Sequence, residues 1–290
     1  MEQPAPDDLR ERLRRYNIPN PIENVRHQFN HIFIMLFGMM GHGKSSLINS
    51  CISVLNNHNF QNVTGAGNKD STETTGREIH NLTRTLSIVD NRGFNIINDD
   101  ELSEARAQLR ALRDMGEVKW DNDYKDTLQV FRIQMTADQT TFLVPVLVFS
   151  AETPQNSGDM NGLSTFVSDA FRITGIHPIL VITHSSSENQ SRVNKKFRDL
   201  GINHRISLEN YTTNNTLHNP DTDKKILQFL DTCMSEAERG IKTTAARQGH
   251  FINQGTEQLQ HEFNTLLSKK EKEIENLKKE LQEKNKCSIL

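Results

Sequence analysis

Phe37 to Ser46 reads FGMMGHGKSS, and LINSCISVL follows it directly. Ahead of it runs HIFIMLFG, His31 to Gly38, an apolar stretch with the length of a buried strand. Behind it, SSLINSCISVLNN has the spacing of a helix. The segment between, Gly38-Met39-Met40-Gly41-His42-Gly43-Lys44-Ser45, fits G-x-x-x-x-G-K-[ST] in the strand–loop–helix context that gives the pattern its meaning. Glycines at 38, 41 and 43 let successive backbone N–H groups curl around phosphate oxygens, and the helix N-terminus adds its positive end. Lys44 is then placed to reach the β- and γ-phosphates and Ser45 to ligate Mg²⁺, with His42 and Ser46 as the neighbouring polar groups of the cradle.

Outward from this loop, apolar runs alternate with helical patterns. LSIVDNRGF ends a strand at Asp90 and places Gly93 three residues later, about forty-five residues beyond the loop. An aspartate there can hold Mg²⁺ through water, and a glycine N–H can sense a γ-phosphate. Between the two motifs, GAGNKDSTETTG (Gly65 to Gly76) offers Thr75 as the threonine completing the metal shell, with Thr72 and Thr74 as alternatives. REIHNL and TRTLSIVD read as a strand pair, TTFLVPVLVFSAE and HPILVITH as two further buried strands, and HRISLENYT as the sheet's last strand. Together these predict an α/β fold: a mostly parallel sheet covered by helices on both faces, with a C-terminal helical extension.

The expected domains are a flexible N-terminal arm over 1–28 with a short helix near Leu9 to Tyr16, and a nucleotide-binding domain over 29–239. Residues 116–139 break the strand–helix rhythm and read as an insertion. From about Gly240 the composition turns to Glu and Lys, predicting a helical tail over 240–286. Phe263, Leu267, Ile274, Leu277 and Leu281 form a thin seam, interrupted by Lys270 and Lys284, that suits a coiled coil or a solvated amphipathic helix equally. The net charge of −3 over 290 residues gives no field for nucleic acid. Mean hydropathy is −0.63, and no apolar run approaches a membrane span. The N-terminus has no apolar signal core. Three scattered cysteines (Cys51, Cys233, Cys287) make neither a disulfide framework nor a metal site, as expected of a reduced cytoplasmic protein.

The phosphate loop, Asp90-x-x-Gly93 and LINS together resemble the Ras-like superfamily of P-loop GTPases, on its septin, immunity-associated (GIMAP) and dynamin-like side. Interferon-induced protein 44-like and guanylate-binding-like GTPases share these traits. The resemblance covers about Phe29 to Leu230. It implies GTP and GDP as ligands with Mg²⁺ as cofactor, and a guanine motif [NT]-K-x-D at the end of HPILVIT. Thr183-His184-Ser185-Ser186 stands there instead. The Thr-His pair is similar to chloroplast import-receptor and immunity-associated GTPases, which implies Thr183 and His184 as base contacts. Glu209-Asn210 resembles the loop that packs against the base in those relatives. Ser186 fills the slot of the guanine-reading aspartate, so an ATP or mixed-nucleotide binder stays open.

Two departures bear on turnover. Phe94 occupies the position of the glutamine that orients water in Ras-like switches, and Met40 the position of a glycine that admits an arginine finger. The resemblance implies dimers or oligomers through the nucleotide face, slow hydrolysis in the monomer, and a catalytic set of Lys44, Thr75 and Arg92, with His42 or Arg77 as alternatives to Arg92. A non-hydrolysing scaffold is the rival reading. The chain ends in Cys287-Ser288-Ile289-Leu290, a C-a-a-X box in which the final leucine favours geranylgeranyl transfer to Cys287. That predicts a peripheral place on the cytosolic face of a membrane, with Lys278, Lys279, Lys284 and Lys286 as a second signal.

Overall fold

A computed structural model describes residues 5–19, 29–64, 76–91, 93–111, 118–119, 140–153, 157–243 and Lys270. Thr72, Thr74, Thr75, Arg92, most of the 116–139 insertion and Cys287 lie outside the described residues, as does the tail apart from Lys270 in a helix. The chain divides into two units, 1–243 and 244–290.

Seven strands form one sheet: β1 (His31–Phe37), β2 (Gly76–Asn81), β3 (Leu86–Asp90), β4 (Val118–Lys119), β5 (Thr141–Ser150), β6 (Ile179–Thr183) and β7 (Arg205–Ser207). Their order is β4-β2-β3-β1-β5-β6-β7. The pairs β1–β3, β1–β5, β5–β6 and β6–β7 are parallel, whereas β2 runs antiparallel to both β3 and β4. The sheet is therefore mostly parallel, as its continuous Val/Ile/Leu runs require of strands buried on both faces. Within the insertion, Val118 and Lys119 add a short edge strand against Gly76 and Arg77.

Among the described residues of the first unit, six helices flank the sheet: α1 (Pro6–Arg15), α2 (Lys44–Asn56), α3 (Asp99–Leu109), α4 (Ser157–Thr174), α5 (Gln190–Asp199) and α6 (220–243). Strand residues alternate between two cores. Ile34 and Leu36 of β1, Val146 and Val148 of β5, and Val181 of β6 meet Leu47, Ile48, Cys51 and Val54 of α2 and Phe229 and Leu230 of α6. Met35 and Phe37, Leu147 and Phe149, and Ile182 face the other way, onto Leu102 of α3, Phe166 of α4 and Phe197 of α5. Cys51 and Cys233 are free and buried in the first core, as small apolar fillers.

The N-terminal arm is not loose over its helix. Leu9 and Leu13 of α1 are buried in the first core, 2 % and 0 % exposed. Arg10 Nε donates to the Val54 carbonyl at 2.9 Å and Arg14 Nη2 to that of Leu55 at 2.7 Å. These are carbonyls of the last turn of α2; that of Val54 also accepts the C-cap Asn57 N–H at 3.2 Å, and the two guanidinium groups add positive charge at the negative end of that helix.

Candidate functional site

At the carboxyl end of β1 the chain enters the glycine loop and leaves it as α2. Gly38 has φ +145°, and a Cβ there would lie 2.2 Å from the Val148 carbonyl oxygen of β5. Only glycine lets the loop start this close to the neighbouring strand. Gly43, at φ 86°, is the N-cap of α2, and Lys44 is its first residue. The backbone thus carries a helix N-terminus to the carboxyl edge of the sheet, beside the point where β1 has β3 on one side and β5 on the other. In open α/β sheets ligands bind at such a crevice.

Lys44 lies back over the loop it follows: its Nζ donates to the carbonyls of Gly38 at 3.2 Å and Met39 at 3.0 Å. Burial lowers its pKa to about 8, while the Asp90 carboxylate pulls it upward. Ser45 Oγ donates to Asp90 Oδ2 at 2.6 Å. The aspartate is 1 % exposed, and its Oδ1 has no hydrogen-bond partner among the described residues. Burial pushes the Asp90 carboxyl upward, against the Ser45 hydroxyl and Lys44, which hold it down. A buried carboxylate oxygen with an open lone pair beside a serine hydroxyl is a donor set that fits a hard divalent cation. Ser45 of the first motif and Asp90 of the second thus meet through this hydrogen bond.

The segment after Asp90 closes against the loop from the other side. Phe94 N donates to the Gly38 carbonyl and Met40 N to the Phe94 carbonyl, each at 3.0 Å, forming a parallel bridge between Met39 and Phe94. A Cβ on Gly93 would come within 2.8 Å of both Lys44 Nζ and Met40 Cα. Gly93 is thus placed against the phosphate lysine, and nothing larger fits. The Phe94 side chain does not face this site. It is buried in the second core, stacked on Phe37 at 6.3 Å and edge-on to Phe166 at 6.1 Å. In the place of the water-orienting glutamine, an apolar ring thus turns into the core, and the backbone of Phe94 meets the loop.

His42 also turns away from the phosphate side. Its ring packs edge-on to Phe149 of β5 at 4.9 Å, and Nε2 lies 3.1 Å from Thr153 Oγ1. It is 3 % exposed, and burial, with Lys44 nearby, lowers its pKa to about 4, so the ring is neutral. A neutral ring held on the β5 side is no substitute for a catalytic arginine. Arg77, the other alternative, lies on β2 and is buried, 1 % exposed.

On the far side of the loop, the ends of β6 and β7 hold it in place. Thr183 Oγ1 donates to the His42 carbonyl at 2.9 Å, and Asn210 Nδ2 to the Gly43 carbonyl at 2.9 Å. Glu209 Oε1 accepts from Ser186 N at 2.6 Å. His184, at φ 53°, has Nδ1 3.1 Å from Ser150 Oγ and keeps its ring part-exposed. Thr183 and Asn210 therefore act on the backbone of the phosphate loop, while His184 and Glu209 stand beyond them at the mouth. The sequence missed that Ser150, at the end of β5, and Thr153, just beyond it, complete this polar lattice; two small hydroxyls carry no spacing signal.

No family model matches the chain, and no curated protein matches it. Among solved structures it is similar to a putative nucleolar GTP-binding protein 1 from Plasmodium falciparum, at 12 % identity and a TM-score of 0.34, over 83 % of this chain and 98 % of that one. That likeness is too loose to bear on function.

Proposed function

We propose that this chain binds GTP and GDP with Mg²⁺ at the Gly38–Ser46 loop. The observation that carries this is the buried Lys44 ammonium over a helix N-terminus, with Ser45 hydrogen-bonded to a buried aspartate 2.6 Å away. Ser45 and Asp90 would hold the metal, which when bound would neutralise charge between the β- and γ-phosphates. Lys44 and the amides of residues 41–45 would take the phosphate oxygens. Thr183 and Asn210 fix the loop's backbone, so the cradle is preorganised rather than assembled by the ligand. Hydrolysis of GTP is slow in the monomer and is raised by self-association through the nucleotide face, with Thr75 and Arg92 as the catalytic partners.

A specific observation favours the second reading, a GTP-dependent scaffold at a membrane with negligible turnover. The Phe94 ring lies in the second core and the His42 ring packs against Phe149, so these two side chains are engaged with the interior. Titration of fluorescent GTP and ATP into the wild-type protein and Lys44→Ala tests the binding reading. Micromolar or tighter binding lost by at least about 100-fold in the variant is expected, from the charged phosphate contacts removed. Equal binding by the two proteins overturns it. Phosphate release per subunit that rises with protein concentration supports the enzyme, and a flat rate near zero supports the scaffold.

A further inference from the structure

One turn beyond the phosphate lysine, α2 buries a polar side chain. Asn49 is 0 % exposed, flanked by Leu47, Ile48 and Cys51 of the first core. A buried amide is costly unless its polar atoms are paired. Those of Asn49 go to the segment that follows the helix. Its Oδ1 accepts from Val63 N at 2.9 Å and Thr64 N at 3.1 Å, and its Nδ2 donates to Asn62 Oδ1 at 2.8 Å. Two backbone N–H groups can be met only by an oxygen, so this pairing fixes which way the amide points. Held by that amide, Thr64 donates through Oγ1 to the Ser45 carbonyl at 3.2 Å.

Ser45 is therefore held at two points. Its hydroxyl donates to Asp90 Oδ2 at the end of β3, at 2.6 Å, and its carbonyl accepts from Thr64. The first turn of α2 needs such outside bonds, because Gly43 opens the helix in the left-handed region and supplies no side-chain cap. Thr183 and Asn210 hold the carbonyls of His42 and Gly43. Thr64 extends that support to the residue whose hydroxyl would meet the cation. Mg²⁺ takes its ligands at about 2.0–2.1 Å in near-ideal octahedral geometry, whereas Ca²⁺ accepts about 2.3–2.6 Å and a variable arrangement. A small displacement of Ser45 thus costs Mg²⁺ more than it costs Ca²⁺. We infer that Asn49 and Thr64 are positioning residues for the cation half of the site: Asn49 fixes residues 62–64, and Thr64 holds Ser45 where Mg²⁺ requires its hydroxyl. This rests on the proposed nucleotide site and adds the residues that set its choice of cation.

The test measures the affinity of guanosine diphosphate for the full chain in excess EDTA, in Mg²⁺ and in Ca²⁺, with Thr64→Val, Thr64→Ser and Asn49→Ala beside the wild-type protein. Valine keeps the shape of threonine and removes only the donor, and serine keeps the donor. Thr64→Val is expected to lose about 3–10-fold of the affinity measured in Mg²⁺, the worth of a neutral hydrogen bond. In Ca²⁺, which tolerates a displaced ligand, it stays within about twofold of the wild type, and in EDTA it matches it. Thr64→Ser is expected to keep the wild-type Mg²⁺ value. Asn49→Ala follows Thr64→Val and, in the ligand-free protein, speeds hydrogen exchange at the amides of residues 63 and 64, which Thr64→Val leaves protected. Where Asn49→Ala does not fold, the two threonine variants decide alone. Equal losses in Mg²⁺, Ca²⁺ and EDTA, or no loss in Mg²⁺, overturn the inference and leave the nucleotide site standing. Wild-type binding that ignores Mg²⁺ overturns the inference as well. Wild-type protein that binds no guanosine diphosphate in any of the three conditions overturns the site itself, and the inference with it.

Discussion

Phe94 shows how one residue can be functional by its backbone and structural by its side chain. Its N–H and carbonyl bracket the phosphate loop through Gly38 and Met40, while its ring fills the space between Phe37 and Phe166. A glutamine placed here would not orient water over the phosphates. It would carry an amide into an apolar core, lose the aromatic packing, and leave polar atoms without partners. Phe94→Gln is therefore expected to cost about 2–4 kcal/mol of stability and to leave GTP hydrolysis no faster. Thermal unfolding and single-turnover phosphate release check the two halves. A rate gain of tenfold or more would show that the ring can swing out to the site. Met40 belongs to the same constraint, since its amide is already hydrogen-bonded to the Phe94 carbonyl at 3.0 Å.

At the scale of elements, α1 and α2 form a unit. The N-terminus of α2 borders the proposed phosphate site, and carbonyls of its last turn accept from Arg10 and Arg14 of α1. Leu13 is fully buried between them and the sheet. Leu13→Ala is expected to cost about 2–5 kcal/mol, as for a buried leucine leaving a cavity, and Arg14→Ala about 1 kcal/mol, as for a lost exposed cap. Melting curves decide this, and a wild-type midpoint in Leu13→Ala would show that α1 contributes nothing to the fold. The sequence made the strands and the phosphate helix legible because burial on both faces writes continuous apolar runs, and the loop's chemistry demands adjacent residues. It hid the docking of α1, since Leu9 and Leu13 are the only apolar residues within a charged decapeptide. That pattern suits a solvated helix as well as a docked one. It also hid the mooring of Glu209, whose partner Ser186 lies 23 positions earlier in the chain and has no distinctive side chain. The order of α2 after Lys44-Ser45 is a local fact; contacts between loops leaving different strands are not.

For the molecule as a whole, the division at residue 243 separates the unit that holds the proposed nucleotide site from the segment 244–290, which contains Cys287-Ser288-Ile289-Leu290. The proposed lipid and the proposed nucleotide site then belong to different units, and membrane capture and nucleotide affinity should be separable by mutation. A single prenyl chain gives only marginal, reversible membrane binding, so the proposed lipid on Cys287 would need a second signal such as the nearby lysines. Cys287→Ser, expressed in cells that prenylate, is expected to move the protein from the membrane pellet to the soluble fraction while its affinity for GTP stays within about twofold, a change too small to register as lost binding energy. Replacing Lys278, Lys279, Lys284 and Lys286 by glutamine is expected to give a partial shift in the same direction, larger on vesicles rich in anionic lipid and weakened by salt. If Cys287→Ser pellets like the wild type, the terminal box is not the anchor. If GTP affinity falls along with pelleting, the two units are coupled and the tail takes part in the nucleotide cycle. If both proposals hold, a lipid-held chain would be concentrated in two dimensions, and a subunit-dependent rise in hydrolysis is expected on membranes at concentrations where the soluble Cys287→Ser protein stays slow.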